Sequence, residues 1–297
     1  MDNGLKYNSI TEYYKKTFGH SVYKLALDIA STCPNRDGSL GYGGCIYCSA
    51  KGSGDYAVAA LQLDVAKSKL KDKASHKYIA YFQSFSNTYM PVNKLNTYVE
   101  QVLKDSEICG ISIATRPDCI NDEMLLYLSS LSKQTHLVIE LGLQSANDNT
   151  LQIIGRGHTY KQFEETFYRL KDNNIKVCVH IMNGLPSENI QDMLYTATVL
   201  SELKPHSVKI HCTYIPKGTI LEQMYLKGDY KPLEMQEYIE IVAKQLEILG
   251  DKIYIERLTG DGERSTLIAP EWTLHKRYFL NQLNKYLAKM KNDKFWL

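Results

Sequence analysis

The chain has 297 residues, 44% hydrophobic and 23% charged, a balance that supports a sizeable apolar core and excludes wholesale disorder. No run of residues reaches the length of an apolar membrane span, and the opening MDNGLKYNSITEYYKK has no signal-peptide core, so a cytoplasmic protein without membrane attachment is expected. The formal net charge is only +2 but unevenly placed: residues 1–24 carry +2, residues 273–297 carry +5, and the stretch between is acidic by difference.

Short runs rich in β-branched residues alternate with longer amphipathic stretches, the pattern of parallel strands joined by crossover helices. Strands are expected at 24–30, 77–82, 110–115, 136–143, 176–182 and 207–213, with helices near 64–74, 92–106, 121–132, 160–173 and 189–203. In the helix at 160–173, Phe163, Phe167 and Leu170 recur at helical spacing to give a buried stripe, and Asn173 and Asn174 end it. Beyond residue 215 the chain reads as a helix near 233–249, a strand near 252–258 and a long final helix over 273–291. No low-complexity linker divides the first 215 residues, so the expected organisation is an N-terminal segment (1–24) packing on a core (25–215), followed by an extension (216–297) that ends in a basic helix. Six βα units are fewer than the eight of a closed barrel. An open barrel still keeps its chemistry at the C-terminal ends of its strands, so the loops after strands are the place to look.

The loop after the first strand carries Cys33, Cys45 and Cys48 in the spacing Cys-x11-Cys-x2-Cys. A structural zinc site and an electron-transfer 4Fe-4S cluster both take four protein ligands, whereas three thiolates leave one iron open to chelation by the amino and carboxylate groups of a methionine-like ligand. Zinc or a redox-active Cys-x-x-Cys are the alternatives for this loop. Gly38, Gly41, Gly43 and Gly44 let its backbone wrap a bulky cofactor, and Tyr47 is placed to stack on an adenine. Cys109, Cys119, Cys178 and Cys212 sit singly in apolar runs and read as buried small hydrophobes, so a single cluster is expected.

This loop resembles the cluster loop of the radical S-adenosylmethionine (SAM) superfamily. The segments Thr32-Cys33-Pro34-Asn35-Arg36-Asp37-Gly38 and Gly43-Gly44-Cys45-Ile46-Tyr47-Cys48-Ser49-Ala50 are similar to those of its YhcC/YtqA-type subgroup, which is related to the radical SAM domain of the Elongator catalytic subunit. Gln83-Ser84-Phe85-Ser86-Asn87-Thr88, Thr115-Arg116-Pro117-Asp118, Glu140-Leu141-Gly142-Leu143-Gln144-Ser145, Arg156-Gly157-His158, Gly184-Leu185-Pro186 and Arg257-Leu258-Thr259-Gly260-Asp261 extend the likeness over nearly the whole chain.

The resemblance implies an α/β fold, a partial (βα)6 TIM-type barrel with a C-terminal α/β extension. It also implies one 4Fe-4S cluster on Cys33, Cys45 and Cys48 and reductive cleavage of SAM to a 5′-deoxyadenosyl radical. The Gly-Gly-Glu motif with which many relatives hold the SAM amino group is absent, and its role would pass to backbone carbonyls or to Ser84 and Asn87. Glu140 and Gln144 bracket the strand end where relatives contact SAM. Buried in an apolar strand, Glu140 needs a partner, either SAM or a cation such as Arg116 or Arg156. Arg156 suits the SAM carboxylate because its guanidinium is always charged and bidentate. His158 reads as a residue that caps or orients the next helix, Gly184-Leu185-Pro186 as a turn, and Asp118, Lys209 and His211 as weaker candidates to face substrate.

In the final helix Lys and Arg interleave with Tyr278, Phe279, Tyr286, Phe295 and Trp296, which suits either an amphipathic cap or phosphate contacts with base stacking. With the subgroup's links to tRNA, this implies a tRNA substrate engaged at the anticodon, with a wobble-uridine carboxymethylaminomethyl group converted to aminomethyl. The electron donor would be a protein such as flavodoxin or ferredoxin. The competing readings are a radical SAM enzyme of a small metabolite and a zinc-stabilised RNA-binding module.

Overall fold

The structure is a computed structural model that describes residues 7–49, 52, 57–59, 62–70 and 77–293. In chain order, α1 (Ile10–Phe18) leads into β1 (Tyr23–Asp28), then β2 (Val58–Ala59), α2 (Leu63–Ser68), β3 (Tyr78–Phe82), α3 (Val92–Leu103), β4 (Ile108–Thr115) and α4 (Asp122–Ser132). They are followed by β5 (His136–Gln144), α5 (Asp148–Ile153), α6 (Tyr160–Asp172), β6 (Lys176–Asn183), α7 (Ile190–Leu203) and β7 (Ser207–Cys212). The remainder comprises β8 (Ile215–Pro216), α8 (Ile220–Lys227), α9 (Met235–Leu249), β9 (Tyr254–Arg257), β10 (Leu267–Ala269) and α10 (Lys276–Asp293).

The main sheet runs β2-β1-β3-β4-β5-β6-β7-β9, and every neighbouring pair is parallel. Its seven longer strands curl into a half-barrel whose outer face is covered by helices. The expected α/β partial barrel is therefore the observed fold. One strand is placed differently from the reading: the segment expected near 252–258 is β9, which joins the main sheet beside β7 as its seventh long strand. Short elements went unread because their periodicity spans too few residues. Among them is α1, although its Ser9 cap and the left-handed Gly19 that ends it are start and stop signals written in the sequence. The expected helix at 64–74 is seen as α2, and its last residues lie outside the described ones.

The strands alternate with period two, and that alternation separates the outer core from the barrel lumen. Leu25 and Leu27, Ile111 and Ile113, Ile139 and Leu141, Val177 and Val179, and Val208 and Ile210 are buried in one cluster with Leu95, Leu128, Phe163, Phe167, Leu170 and Leu200 from the helices. The intervening positions point the other way. They are Lys24 and Ala26, Ser112, Glu140 and Gly142, Cys178 and His180, and Lys209 and His211. Local signals fix the helices around this layer: Thr159 with Gln162 and Asn189 with Asp192 form capping boxes at the starts of α6 and α7.

In α10, Phe279, Leu283 and Leu287 form an i, i+4, i+8 stripe that is buried against the core, and Phe279 packs on Trp272 and Tyr238. The mixture of cations and aromatics read from the sequence therefore divides. Phe279 is core, Tyr286 packs against the core, Tyr278 is exposed, and Phe295 and Trp296 lie outside the described residues.

Candidate functional site

The cysteine loop follows β1 at the C-terminal mouth of the half-barrel. Its backbone closes on itself through Arg36 N to Cys33 O (2.8 Å), Leu40 N to Pro34 O (2.8 Å), Gly44 N to Asn35 O (2.9 Å) and Cys48 N to Cys45 O (2.9 Å). Gly44 has φ +90°, and a Cβ there would lie 3.0 Å from the Arg36 guanidinium, so the loop needs glycine for both conformation and space. Long-range bonds then seat the loop. Asn35 Nδ2 donates to Gly155 O at 2.7 Å and Arg156 O at 3.1 Å, and Ile46 N donates to Ile154 O at 3.1 Å.

All three cysteines line one cavity of 190 Å³, together with Tyr47, Arg116, Gln144 and Arg156. Three side chains aim N–H donors at the sulfurs: Asn35 Nδ2 lies 3.5 Å from Cys45 Sγ, Arg36 Nη2 3.2 Å from Cys48 Sγ, and Arg156 Nη1 3.9 Å from Cys45 Sγ. Such donors stabilise thiolate and metal-bound sulfur. Burial pushes the Cys48 thiol up, with Cys45 adding to the effect and Arg36 opposing it. Arg156 is only 8% exposed, and its guanidinium donates to Gly142 O at 2.8 Å and keeps its Nε buried with no partner among the described residues. A Cβ at residue 142 would collide with this guanidinium, which makes Gly142 the reason Arg156 can reach the cavity wall.

Several expectations are corrected. Ser84 and Asn87, offered as replacements for the missing SAM motif, do not line this cavity; Phe85 and Ser86 do. The Asn87 amide is committed to the backbone, donating to Phe82 O at 3.0 Å and Ala114 O at 2.9 Å, and its Oδ1 accepts from Ser31 Oγ at 3.1 Å. Ser84 is fully buried, and its carbonyl accepts from Ser31 Oγ at 2.8 Å. Glu140 does line the cavity, but it pairs with neither Arg116 nor Arg156. Arg116 instead grips Asp118 bidentately at 2.9 and 2.8 Å. The cap of α6 is Thr159, and the His158 Nδ1 lies 3.2 Å from the Thr159 carbonyl.

The partners of Glu140 come from the lumen. Its Oε1 accepts from Lys24 Nζ at 2.6 Å and Ser112 Oγ at 2.5 Å, and its Oε2 accepts from His180 Nε2 at 2.7 Å and from Lys209 Nζ. Glu256 completes the set: Oε2 lies 2.6 Å from Lys24 Nζ, and Oε1 accepts from Ser207 Oγ at 2.7 Å. Burial alone would raise Glu140, but Lys209, Lys24 and the His180 hydrogen bond overcome it and hold the carboxyl well below its usual range. Burial lowers His180 against the opposing pull of Glu140, so its neutral ring donates through Nε2. Lys24, His180 and Glu256 went unread, yet each is a polar residue at the lumen phase of an apolar strand, a signal present in the sequence.

Glu140, Cys178 and His180 bring donor atoms within 4.8 Å of one another. Both carboxylate oxygens of Glu140 are occupied by lysine, hydroxyl and imidazole donors, so Glu140 belongs to a buried ion network and the trio is not a metal cage. Cys119, Cys178 and Cys212 are buried, and burial raises each thiol, as expected for inert small hydrophobes. Among the described residues, no helix is long and apolar enough to cross a membrane.

Comparison with known proteins places this geometry. Residues 31–200 match the Radical SAM superfamily and residues 205–289 the Radical_SAM C-terminal domain. Uncharacterized protein YtqA of Bacillus subtilis is 40% identical over 95% of this chain and 89% of its own length. The tRNA uridine(34) acetyltransferase of Methanocaldococcus jannaschii is 29% identical over 51% of this chain, which spans only 28% of that protein. The structure of archaeal Methanocaldococcus infernus Elp3 superposes with TM-score 0.68 at 18% identity, covering 92% of this chain and 63% of the other, and shows the shared fold. The cysteine loop at the mouth of a parallel half-barrel and the matched families agree, and the chain belongs to the radical SAM superfamily.

Proposed function

We propose that Cys33, Cys45 and Cys48 hold one 4Fe-4S cluster and that the adjoining cavity takes SAM, for modification of a tRNA wobble uridine. The observation that carries this reading is the convergence of three loop thiols on one cavity, with the Arg156 guanidinium on its wall. The donor set fits. Three thiolates lining one cavity are one ligand short of a structural zinc site and match a cluster that leaves one iron open, so the set suits a cluster better than zinc. Bound together, cluster and SAM supply a 5′-deoxyadenosyl radical once an electron arrives from a donor such as flavodoxin or ferredoxin.

The chain's own residues bind and orient. Arg156, whose buried Nε has no partner among the described residues, is suited to the SAM carboxylate, Tyr47 to the adenine, and Gln144, at φ +76°, turns the end of β5 into the cavity. Asn35 and Arg156 supply N–H donors to the Cys45 sulfur and Arg36 to that of Cys48, and the two guanidiniums add positive charge there. On the substrate, the N–CH2–COO⁻ methylene loses a hydrogen atom to the 5′-deoxyadenosyl radical; the substrate radical then gives one electron back to the oxidised flavodoxin- or ferredoxin-type carrier and one proton to water, which leaves an imine. Water releases glyoxylate from it and leaves the aminomethyl group. The choice of uridine 34 is supported by the relative named for that nucleotide.

The test is anaerobic reconstitution with iron and sulfide, then chromatography for 5′-deoxyadenosine after SAM and dithionite, with Cys45→Ala as control. Product from the wild type alone is expected. Bound zinc without iron or product would overturn the cluster, and identical tRNA nucleosides from cells with and without the gene would overturn the substrate.

A further inference from the structure

A second cavity, of 470 Å³, opens in the seam between β1 and β9 and shares Tyr81, His180, His211 and Tyr214 with the cavity at the cysteine loop. Its charged walls are of two kinds. Lys24 and Lys209 face Glu140 and Glu256 in a closed, mutually neutralising set. Arg257, at the end of β9, stands outside it. Among the described residues Arg257 makes no hydrogen bond, and its nearest carboxylate oxygen is Asp261 Oδ2 at 3.7 Å, an oxygen already held by Lys276 Nζ at 2.8 Å. Two cations share one acid there, and the Arg257 side chain is 35% exposed. Its charge bears on His211 and Tyr81, two of the wall residues common to both cavities. His211 also keeps a buried Nε2 with no partner among the described residues.

A guanidinium with so little of its hydrogen-bonding capacity used, beside an imidazole with an unpartnered nitrogen, is a receptor for one negative charge. Because the other cations of this wall are already matched by Glu140 and Glu256, the one surplus charge of Arg257 suits a singly charged carboxylate better than a doubly charged phosphate. We propose that Arg257 receives the carboxylate of the substrate side chain, in a subsite separate from the one that holds SAM. The proposal rests on the reading of the first cavity as the place of reaction: the two cavities share Tyr81, His180, His211 and Tyr214, so one ligand would lie across those walls with its carboxylate on Arg257 and its methylene in the first cavity.

The test uses the full chain and two synthetic nucleosides, 5-carboxymethylaminomethyluridine and 5-aminomethyluridine, titrated calorimetrically into the wild type, R257M and R257K. The carboxylate-bearing probe should bind the wild type roughly 10- to 100-fold more tightly, the range expected of a charge-assisted pair. R257M should erase that preference while binding the aminomethyl probe as the wild type does, and R257K should restore most of it. Equal affinity of the wild type for both probes, or a preference that survives in R257M, overturns the carboxylate subsite. A preference that R257M erases, in a protein that leaves tRNA nucleosides unchanged, keeps the subsite and removes only the RNA substrate.

Discussion

The two ends of the half-barrel are built from opposite materials. At the C-terminal mouth the cysteine loop, Arg36, Arg116 and Arg156 surround a cavity with cations, thiols and backbone carbonyls. At the N-terminal end α1 closes the barrel with rings: Tyr13 packs on His206 at 4.6 Å and Tyr254 at 5.0 Å, and Phe18 on His136 at 5.3 Å. Tyr14 lies buried beneath them at 3% exposure. The mouth spends burial on groups that could bind and react, whereas the floor spends it on packing, the division of labour that lets barrel loops carry chemistry on a stable base. Between them the Glu140 network joins β1, β4, β5, β6, β7 and β9 through side chains.

Substitutions at the two ends should therefore fail differently. Cys45→Ala should abolish iron incorporation and reduce 5′-deoxyadenosine to background, while moving the urea midpoint of the metal-free protein by no more than about 1 kcal/mol. A collapse of folding in this variant would erase the distinction between mouth and floor. Glu140→Ala, which leaves the two lumen lysines Lys24 and Lys209 with Glu256 as their one remaining carboxylate among the described residues, should cost about 3–5 kcal/mol in urea unfolding, and loss of iron loading without loss of stability would show that the network belongs to the mouth. Tyr14→Ala should cost about 3 kcal/mol and leave iron content per folded molecule unchanged.

Acid should attack the floor too. Burial pushes His136 and His206 down to about 4 from 6.5, so the unfolded chain takes up protons that the folded chain refuses. Stability is complete above 6.5 and falls as the pH drops toward 4, by on the order of 2 kcal/mol at pH 5 for these half-buried rings, measurable as a falling urea midpoint. A midpoint flat from pH 7 to pH 5 would mean that the rings are not sealed by α1. The smallest effect is expected from Tyr14→Phe, which removes a buried hydroxyl that has no partner among the described residues and should leave stability unchanged or raise it by up to about 1 kcal/mol.

By itself the sequence determined the strand and helix positions of the half-barrel and the loop that carries Cys33, Cys45 and Cys48. Both are local: a period of two or 3.6 is written in neighbouring residues, and the thiol spacing lies within sixteen positions. The alternation in the strands also marked Lys24, Glu140, His180, Lys209 and Glu256 as sharing a phase opposite to the apolar core, although only some of them were singled out. The tertiary structure decided which charges meet. Glu140 takes Lys24 and Lys209 from strands 116 and 69 residues away, Arg156 reaches a cysteine 111 residues earlier through the gap left by Gly142, and Asn87 turns inward to the backbone. Pairing of ions across a lumen depends on strand order and on the curl of the sheet. Those properties belong to the assembled barrel, and no single segment encodes them.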